Sequence, residues 1–332
     1  MGEFELIKRY FQGPSQAGPR PPGVSLGIGD DCALLVPRAG MELAVSSDML
    51  VEGRHFLSIA EPGGLGHKTL AVNLSDLAAM GAEPLCFTLA LALPQIDAGW
   101  LEKFSQGLMG LAHDCQCPLV GGDTTRGPLN LCVTVLGQVP PHQALRRQNA
   151  QPGDDIYISG TLGDARLALE ALRGTLELDG PALRHCRSRL ERPTPRLALG
   201  VALRGVAHAA ADVSDGLLSD LGHILNASGV GATLDLDTLL ASGALSPELR
   251  QQPREQQLTC LLSGGDDYEL VFTAPTHRRS AVQRAAQQAS TPVHRIGHTH
   301  SALGCVLSSG GQPLPSDTIR AYTGFDHFAA TA

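Results

Sequence analysis

Aromatic side chains are scarce here: one Trp, four Tyr and eight Phe make up 4% of a 332-residue chain. Against 38 Gly, ring stacking is a minor resource, and tight turns and close backbone approaches are expected to matter more. Positive charge is short as well. Lys and Arg total 25 against 33 Asp and Glu, a net charge of −8 at pH 7. A nucleic-acid binder needs basic surface to displace counterions from phosphates, so this balance argues against one. It leaves small phosphorylated ligands open, because carboxylates can hold divalent metals that bridge to phosphate. No C-x-x-C pair occurs among Cys32, Cys86, Cys115, Cys117, Cys132, Cys186, Cys260 and Cys305, and Cys115-Gln116-Cys117 is too isolated for a zinc knuckle. With no secretory signal at the N-terminus, reduced thiols in a cytoplasmic protein are expected. The most apolar run, Leu85 to Leu93, is too short to cross a bilayer, so no membrane partner is expected. Hydrophobic residues still reach 43%, enough to bury a sizeable core.

The pattern of apolar residues predicts a mixed α/β chain in two halves. An opening helix is expected over Phe4–Phe11, stopping at the Gly- and Pro-rich stretch from Gly13 to Gly23, which reads as a mobile loop or lid. Strands are expected at Ala33–Val36 and Leu43–Ser47, and a helix at Leu65–Met80 with Leu70, Leu74 and Leu77 on one face. A buried strand at Phe87–Leu93, an amphipathic helix at Trp100–His113 and a strand at Leu131–Val139 complete the first half. Pro140 to Pro152 reads as a linker between domains at 1–140 and 151–328. The second half is expected to hold strands at Asp155–Ser159, Ala232–Leu236, Glu269–Thr273 and Cys305–Leu307, with helices at Leu162–Leu172 and Gly216–Ser228. Each half carries a Gly-Gly-Asp sequence read as a turn, at Gly121-Gly122-Asp123 and Gly264-Gly265-Asp266. There is no short-period repeat.

The informative residues are aspartates at the ends of elements. Asp30 and Asp31 follow Gly27-Ile28-Gly29, Asp48 follows Ser46-Ser47 at a strand end, and Asp76 lies on a helix three residues after Asn73. Asp123 follows Gly121-Gly122, and Asp212 and Asp215 flank Ser214 before a helix. Taken singly, an Asp after Gly is a common turn residue, and Asp215 could be a helix cap instead of a functional acid. Asp76 resists that reading, because a carboxylate in the apolar run Val72 to Met80 is costly to bury without a cation. If the acids converge, their repulsion must be relieved by protons or by divalent metal, and hard carboxylate oxygens beside hydroxyls suit Mg²⁺. Ca²⁺ lacks its loop, since Leu240 stands where an EF-hand needs Gly. Zn²⁺ lacks partners for His298-Thr299-His300, which reads as a solvated turn.

Two nucleotide motifs fail on inspection. Gly63-Gly64-Leu65-Gly66-His67-Lys68-Thr69 resembles a Walker A loop but puts His67 where Gly must precede the Lys. Gly27-Ile28-Gly29-Asp30-Asp31-Cys32 opens like a dinucleotide fingerprint but sets two acids where pyrophosphate would approach. Arg147 and His55 remain open between solvated or structural roles and ligand contact.

In order along the chain, Gly27 to Ala33, Ser46-Ser47-Asp48, Gly53-Arg54-His55-Phe56, Lys68 to Pro84 and Gly121 to Pro128 resemble the thiamine-monophosphate kinase family. Asp212 to Asp220, Ser263 to Leu270 and Gly324-Phe325-Asp326-His327-Phe328 continue the likeness through the second half. The resemblance implies the two-domain, mixed-sheet α/β fold of aminoimidazole-ribonucleotide synthetase, with a homodimer formed through the N-terminal domains. It implies that ATP and thiamine monophosphate meet in a cleft between domains and that thiamine diphosphate is the product. Carried onto this chain, it assigns Mg²⁺ to Asp30, Ser46, Ser47, Asp48, Asp76, Asp123, Asp212 and Asp215. ATP falls to Gly122, Asp123, Arg147 and Ser214, and thiamine monophosphate to His55, Asp266 and Phe325. Three positions depart from the family's pattern: Ser47 is commonly Thr, Asp266 often Glu, and Phe325 often Tyr or Trp.

The chemistry asks for no general base, because the attacking group is a phosphate whose second pKa is about 6 and which is largely ionised at neutral pH. Selenophosphate synthetase, of the same fold, needs a reactive Cys with a Lys near its N-terminus, and Lys8 has no neighbouring Cys. A non-catalytic metal-binding protein would account for the acids but not for the Arg residues and glycine turns beside them.

Overall fold

In the computed structural model, which describes residues 2–15, 22–315, 317–322 and 324, the chain divides into two units. The first comprises Met1–Leu77, Ala82–His142 and Glu191–Pro193, and the second Ala78–Gly81, Gln143–Leu190 and Thr194–Ala332.

The first unit is built on a four-stranded sheet in the order Glu42–Val51, Asn130–Val139, Glu83–Leu93, Leu119–Arg126, antiparallel except for the last pair. Alternation sets its two faces. Leu131, Val133 and Val135 are fully buried, as are Phe87 and, nearly so, Leu91 on the neighbouring strand. The other face of the first strand carries Leu43, Val45 and Met49, each more than half exposed. Period 2 therefore separates Ser46 and Asp48 from Ser47.

Two helices, Pro62–Ala79 and Ala98–Asp114, cross at unusually short range in this unit. A Cβ on Gly66 would lie 2.1 Å from the Phe104 carbonyl oxygen, and one on Gly107 would lie 1.8 Å from that of Gly63. The glycines that gave the Walker-like appearance thus serve helix–helix contact. Asp97 caps the second helix, accepting from the backbone N–H of Gly99 and Trp100.

A seven-stranded sheet organises the second unit, in the order Gln312–Pro313, Gly304–Ser309, Gly231–Asp235, Val293–His300, Asp154–Ser159, Leu270–Pro275, Ala209–Asp212. Every residue of Asp154–Ser159 is buried, as its central position demands. The two acids in it are paired, Asp154 with His208 and Asp155 with Arg279 and Arg295. Helix Leu217–Ser228 packs Leu217, Leu221, Ile224 and Leu225 into the core and ends at Gly229 in the left-handed region (φ 65°).

Several expectations need correction. Helical structure runs through Gly13–Ser15 because a π-type turn over Lys8–Gln12 precedes Pro14, and the Ser15 hydroxyl is held by the Leu119 carbonyl; residues 16–21 of the expected loop lie outside the described residues. The first long strand continues to Val51, so Asp48 lies within it and not at its end. Gly121-Gly122-Asp123 is not a turn but part of Leu119–Arg126, paired in parallel with Glu83–Leu93. Gly122 (φ 148°) is required there, since a Cβ would fall 1.8 Å from the Leu89 carbonyl oxygen. His298-Thr299-His300 is likewise strand, with Thr299 buried and its hydroxyl bonded to Gln151 and Asp154.

Candidate active site

On the helix-facing side of the first sheet, the Ser46 hydroxyl donates to Asp76 Oδ2. The backbone N–H of Asp48 donates to Asn73 Oδ1 at 3.0 Å. Asn73 is fully buried, and its amide nitrogen is anchored on the Thr69 carbonyl at 3.2 Å. One helical turn separates Asn73 from Asp76, so a single helix face fixes both the strand and the acid beside it. Ser47, on the opposite face, bonds the Thr134 hydroxyl at 2.9 Å and the Val133 carbonyl at 3.1 Å. Asp30 is exposed in its turn, where its carboxylate accepts from the Asp31 N–H at 2.9 Å. Asp123 is exposed beside Ala90 in the parallel register. His55 Nδ1 accepts from the Val51 N–H at 3.0 Å, which leaves the ring proton on Nε2.

The second unit gathers its own set around the start of helix Leu217–Ser228. Asp212 ends a strand and is buried. Asp215 does not cap the helix: the N-cap is Gly216, without a side-chain bond. Asp220 does the anchoring instead. Its buried Oδ2 accepts from the N–H groups of both Ser214 and Asp215, at 3.0 and 3.1 Å. Burial pushes the Asp220 carboxyl up to about 7, opposed by those amides and by the positive charge of Arg147. Arg147 is exposed in a short 3-10 turn whose carbonyl receives the Ser228 hydroxyl at 2.7 Å. A Cβ on Gly324 would lie 2.8 Å from the Asp215 carbonyl oxygen, so Gly324 lies against this loop; Phe325 lies outside the described residues. Asp266 is tied to the same loop by its N–H, which donates to the Ser214 carbonyl at 2.8 Å.

Residues 29–139 match the family described as AIR synthase related protein, N-terminal domain, and residues 151–305 match its C-terminal domain. Thiamine-monophosphate kinase of Salmonella typhimurium strain LT2 is 46% identical over 330 residues, covering 99% of this chain and 98% of that protein. The chain belongs to the thiamine-monophosphate kinase family. A crystal structure of thiamine-monophosphate kinase from Stenotrophomonas maltophilia K279a is 47% identical, with a TM-score of 0.84, covering 95% of this chain and 98% of that one. The structure of "AaThiL complexed with AMPPCP and TMP" is 28% identical with a TM-score of 0.74, covering 98% and 97%. The fold is therefore the two-domain mixed α/β fold of the AIR synthase-related family.

Mg²⁺, which the resemblance implies, asks for hard oxygen donors. Among the described residues, no three His, Cys, Asp or Glu side chains cluster closely enough to hold a metal by themselves. Ser46, Asp48 and Asp76 nevertheless offer hard oxygen donors, and Mg²⁺ is ordinarily held by one or two carboxylates together with water and substrate phosphates. The residues fit an ion that arrives with nucleotide better than a caged structural ion. All eight cysteines are free, and burial pushes the thiols of Cys186 and Cys260 up to about 12.

Asp220 escaped the sequence reading because it serves Ser214 and Asp215 through their backbone amides. The available signal was its position in the first turn of an apolar helix, where an acid commonly takes orphan N–H groups.

Proposed function

We propose that this protein transfers the γ-phosphoryl group of ATP directly to thiamine monophosphate, yielding thiamine diphosphate, the last step in making that cofactor. The observation that carries the reading is the 46% identity, over 99% of the chain, to a thiamine-monophosphate kinase. The structure named as a complex with AMPPCP and TMP supports an ATP-like nucleotide and thiamine monophosphate as the ligand pair.

The transfer joins two polyanions, so the main task is cancelling repulsion and holding the groups in line. Bound Mg²⁺ would supply that charge, polarising the transferred phosphoryl oxygens. Several ions are proposed: in the first unit Asp30, Ser46, Ser47, Asp48, Asp76 and Asp123 are assigned to Mg²⁺, and in the second unit Asp212 and Asp215 are assigned to it as well. Ser47 would act there through its backbone, since its hydroxyl is engaged on the far face of the strand. Gly122, Asp123, Arg147 and Ser214 are assigned to ATP, and His55, Asp266 and Phe325 to thiamine monophosphate. His55, whose Nε2 carries the proton, can donate to a phosphate oxygen. No residue is needed as general base.

A homodimer formed through the first unit is proposed as well, supported by Val45 (62% exposed), Met49 (52%) and Leu43 (51%) on one open sheet face. Light scattering should return the mass of two chains, and Val45→Asp should return one; a wild-type monomer would reject the dimer. A cytoplasmic location accords with no described helix being long and apolar enough to cross a membrane. For the reaction itself, incubation with Mg-ATP and thiamine monophosphate should yield thiamine diphosphate on chromatography. ADP released without that product would reject the assignment.

A further inference from the structure

Residues Asp266 to Glu269 form a segment fixed from every side. Asp266 and Tyr268 both occupy the left-handed region, at φ 60° and 51°, which ordinary residues hold only when their surroundings impose it. The impositions are visible. The N–H groups of Asp266 and Tyr268 donate to the carbonyls of Ser214 and Val213, at 2.8 and 2.9 Å. Between them, the buried Asp267 carboxylate accepts the Gly163 N–H at 2.9 and 3.0 Å. Just beyond, Glu269 is clamped by Arg189 and Arg196. The backbone of Asp266 is thus held rigidly against the loop that carries Ser214 and Asp215.

One side-chain contact completes the arrangement. The Tyr268 hydroxyl donates to Asp266 Oδ1 at 3.1 Å, from a ring only 9% exposed. A buried phenol on a fixed backbone has almost no freedom, so it sets the rotamer of the half-buried carboxylate in front of it. A carboxylate repels the phosphates of both substrates. Its complement is the ring portion of thiamine monophosphate, where a thiazolium ring carries the positive charge and an aminopyrimidine offers N–H donors.

We propose that Tyr268 is a positioning residue: its hydroxyl orients Asp266 toward the cationic ring portion of the acceptor and so sets acceptor affinity, but not ATP affinity. This rests on the proposed kinase reading and on Asp266 as an acceptor contact. The short Asp side chain gives the device its purpose. One methylene shorter than Glu, Asp266 has less reach to spare, so a rotamer held by the phenol matters more.

The test is a double-mutant cycle on the full-length protein, with Tyr268→Phe, Asp266→Ala and the double variant. Each is measured for KM of thiamine monophosphate, KM of ATP, kcat and melting temperature. A hydrogen bond to a charged group corresponds to roughly a tenfold effect, so Tyr268→Phe should raise KM for thiamine monophosphate about tenfold. KM for ATP, kcat and melting temperature should stay within about twofold or a few degrees of wild type. In the Asp266→Ala background, removing the hydroxyl should change nothing further. An unchanged acceptor KM, equal losses toward both substrates, or additive effects would each overturn the proposal. A wild-type protein that makes no thiamine diphosphate would instead overturn the kinase reading on which it rests.

Discussion

Asp76→Asn is expected to lower turnover on the order of a thousandfold while leaving the protein folded. Asparagine has the same shape, and its Oδ1 can still accept the Ser46 hydroxyl that Asp76 now receives. The helix keeps its place, because Asn73 supplies the tie to the Asp48 backbone. What is lost is one negative charge, and with it the hold on a divalent cation proposed for this carboxylate. Removal of one preorganised charge partner from a phosphoryl-transfer site strikes the transition state more than the ground state. Steady-state kinetics and circular dichroism on the same preparation check both halves. A folded variant with near-normal kcat would refute the metal role of Asp76.

The second large effect concerns stability. Glu269→Ala should destabilise the second unit by about 3–5 kcal/mol. The Glu269 carboxylate is fully buried and receives Arg189 Nη2 at 2.7 Å, Arg196 Nε at 2.7 Å and the Ser159 hydroxyl at 2.5 Å. Its removal leaves two guanidinium groups, 19% and 16% exposed, without their shared anion. Breaking such a trio costs more than the trio contributed, because the stranded charges stay desolvated. In a thermal melt the transition should fall by about 10 °C. An unchanged melting temperature would mean that the arginines find other partners or solvent without cost.

The parts of the fold that were legible in the sequence are those where one period dominates. Leu70, Leu74 and Leu77 announced a helix at 3.6 spacing, and Leu131, Val133 and Val135 announced a strand. The helix begins at Pro62, ahead of the expected Leu65, because a run holding Gly63, Gly64 and Gly66 carries little helix propensity, whereas Gly63 and Gly66 permit the close helix crossing. Leu119–Arg126 escaped because Gly-Gly-Asp carries little strand propensity; its place is set by parallel pairing with Glu83–Leu93, a long-range partner no local pattern reveals. The polar helix Gly180–Glu191 was invisible for a related reason, since only Cys186 and Leu190 are buried.

At the candidate site, the acids were legible because carboxylates beside small or apolar residues are conspicuous. Their surroundings were not. The separation of Ser47 from Ser46 and Asp48 follows from strand alternation, but only once the strand is known to pass through all three. Asp220 and Tyr268 act on neighbours six and two residues away through bonds that depend on tertiary backbone geometry.

The proposed kinase reading requires oxygen donors on this protein to present divalent cations to two phosphorylated substrates. Its most direct test is the rate of thiamine diphosphate formation as Mg²⁺ is titrated into protein stripped with a chelator, at fixed ATP and thiamine monophosphate. Product should be absent without Mg²⁺ and rise to saturation as the ion is added. Formation at an undiminished rate in metal-free solution would contradict the account.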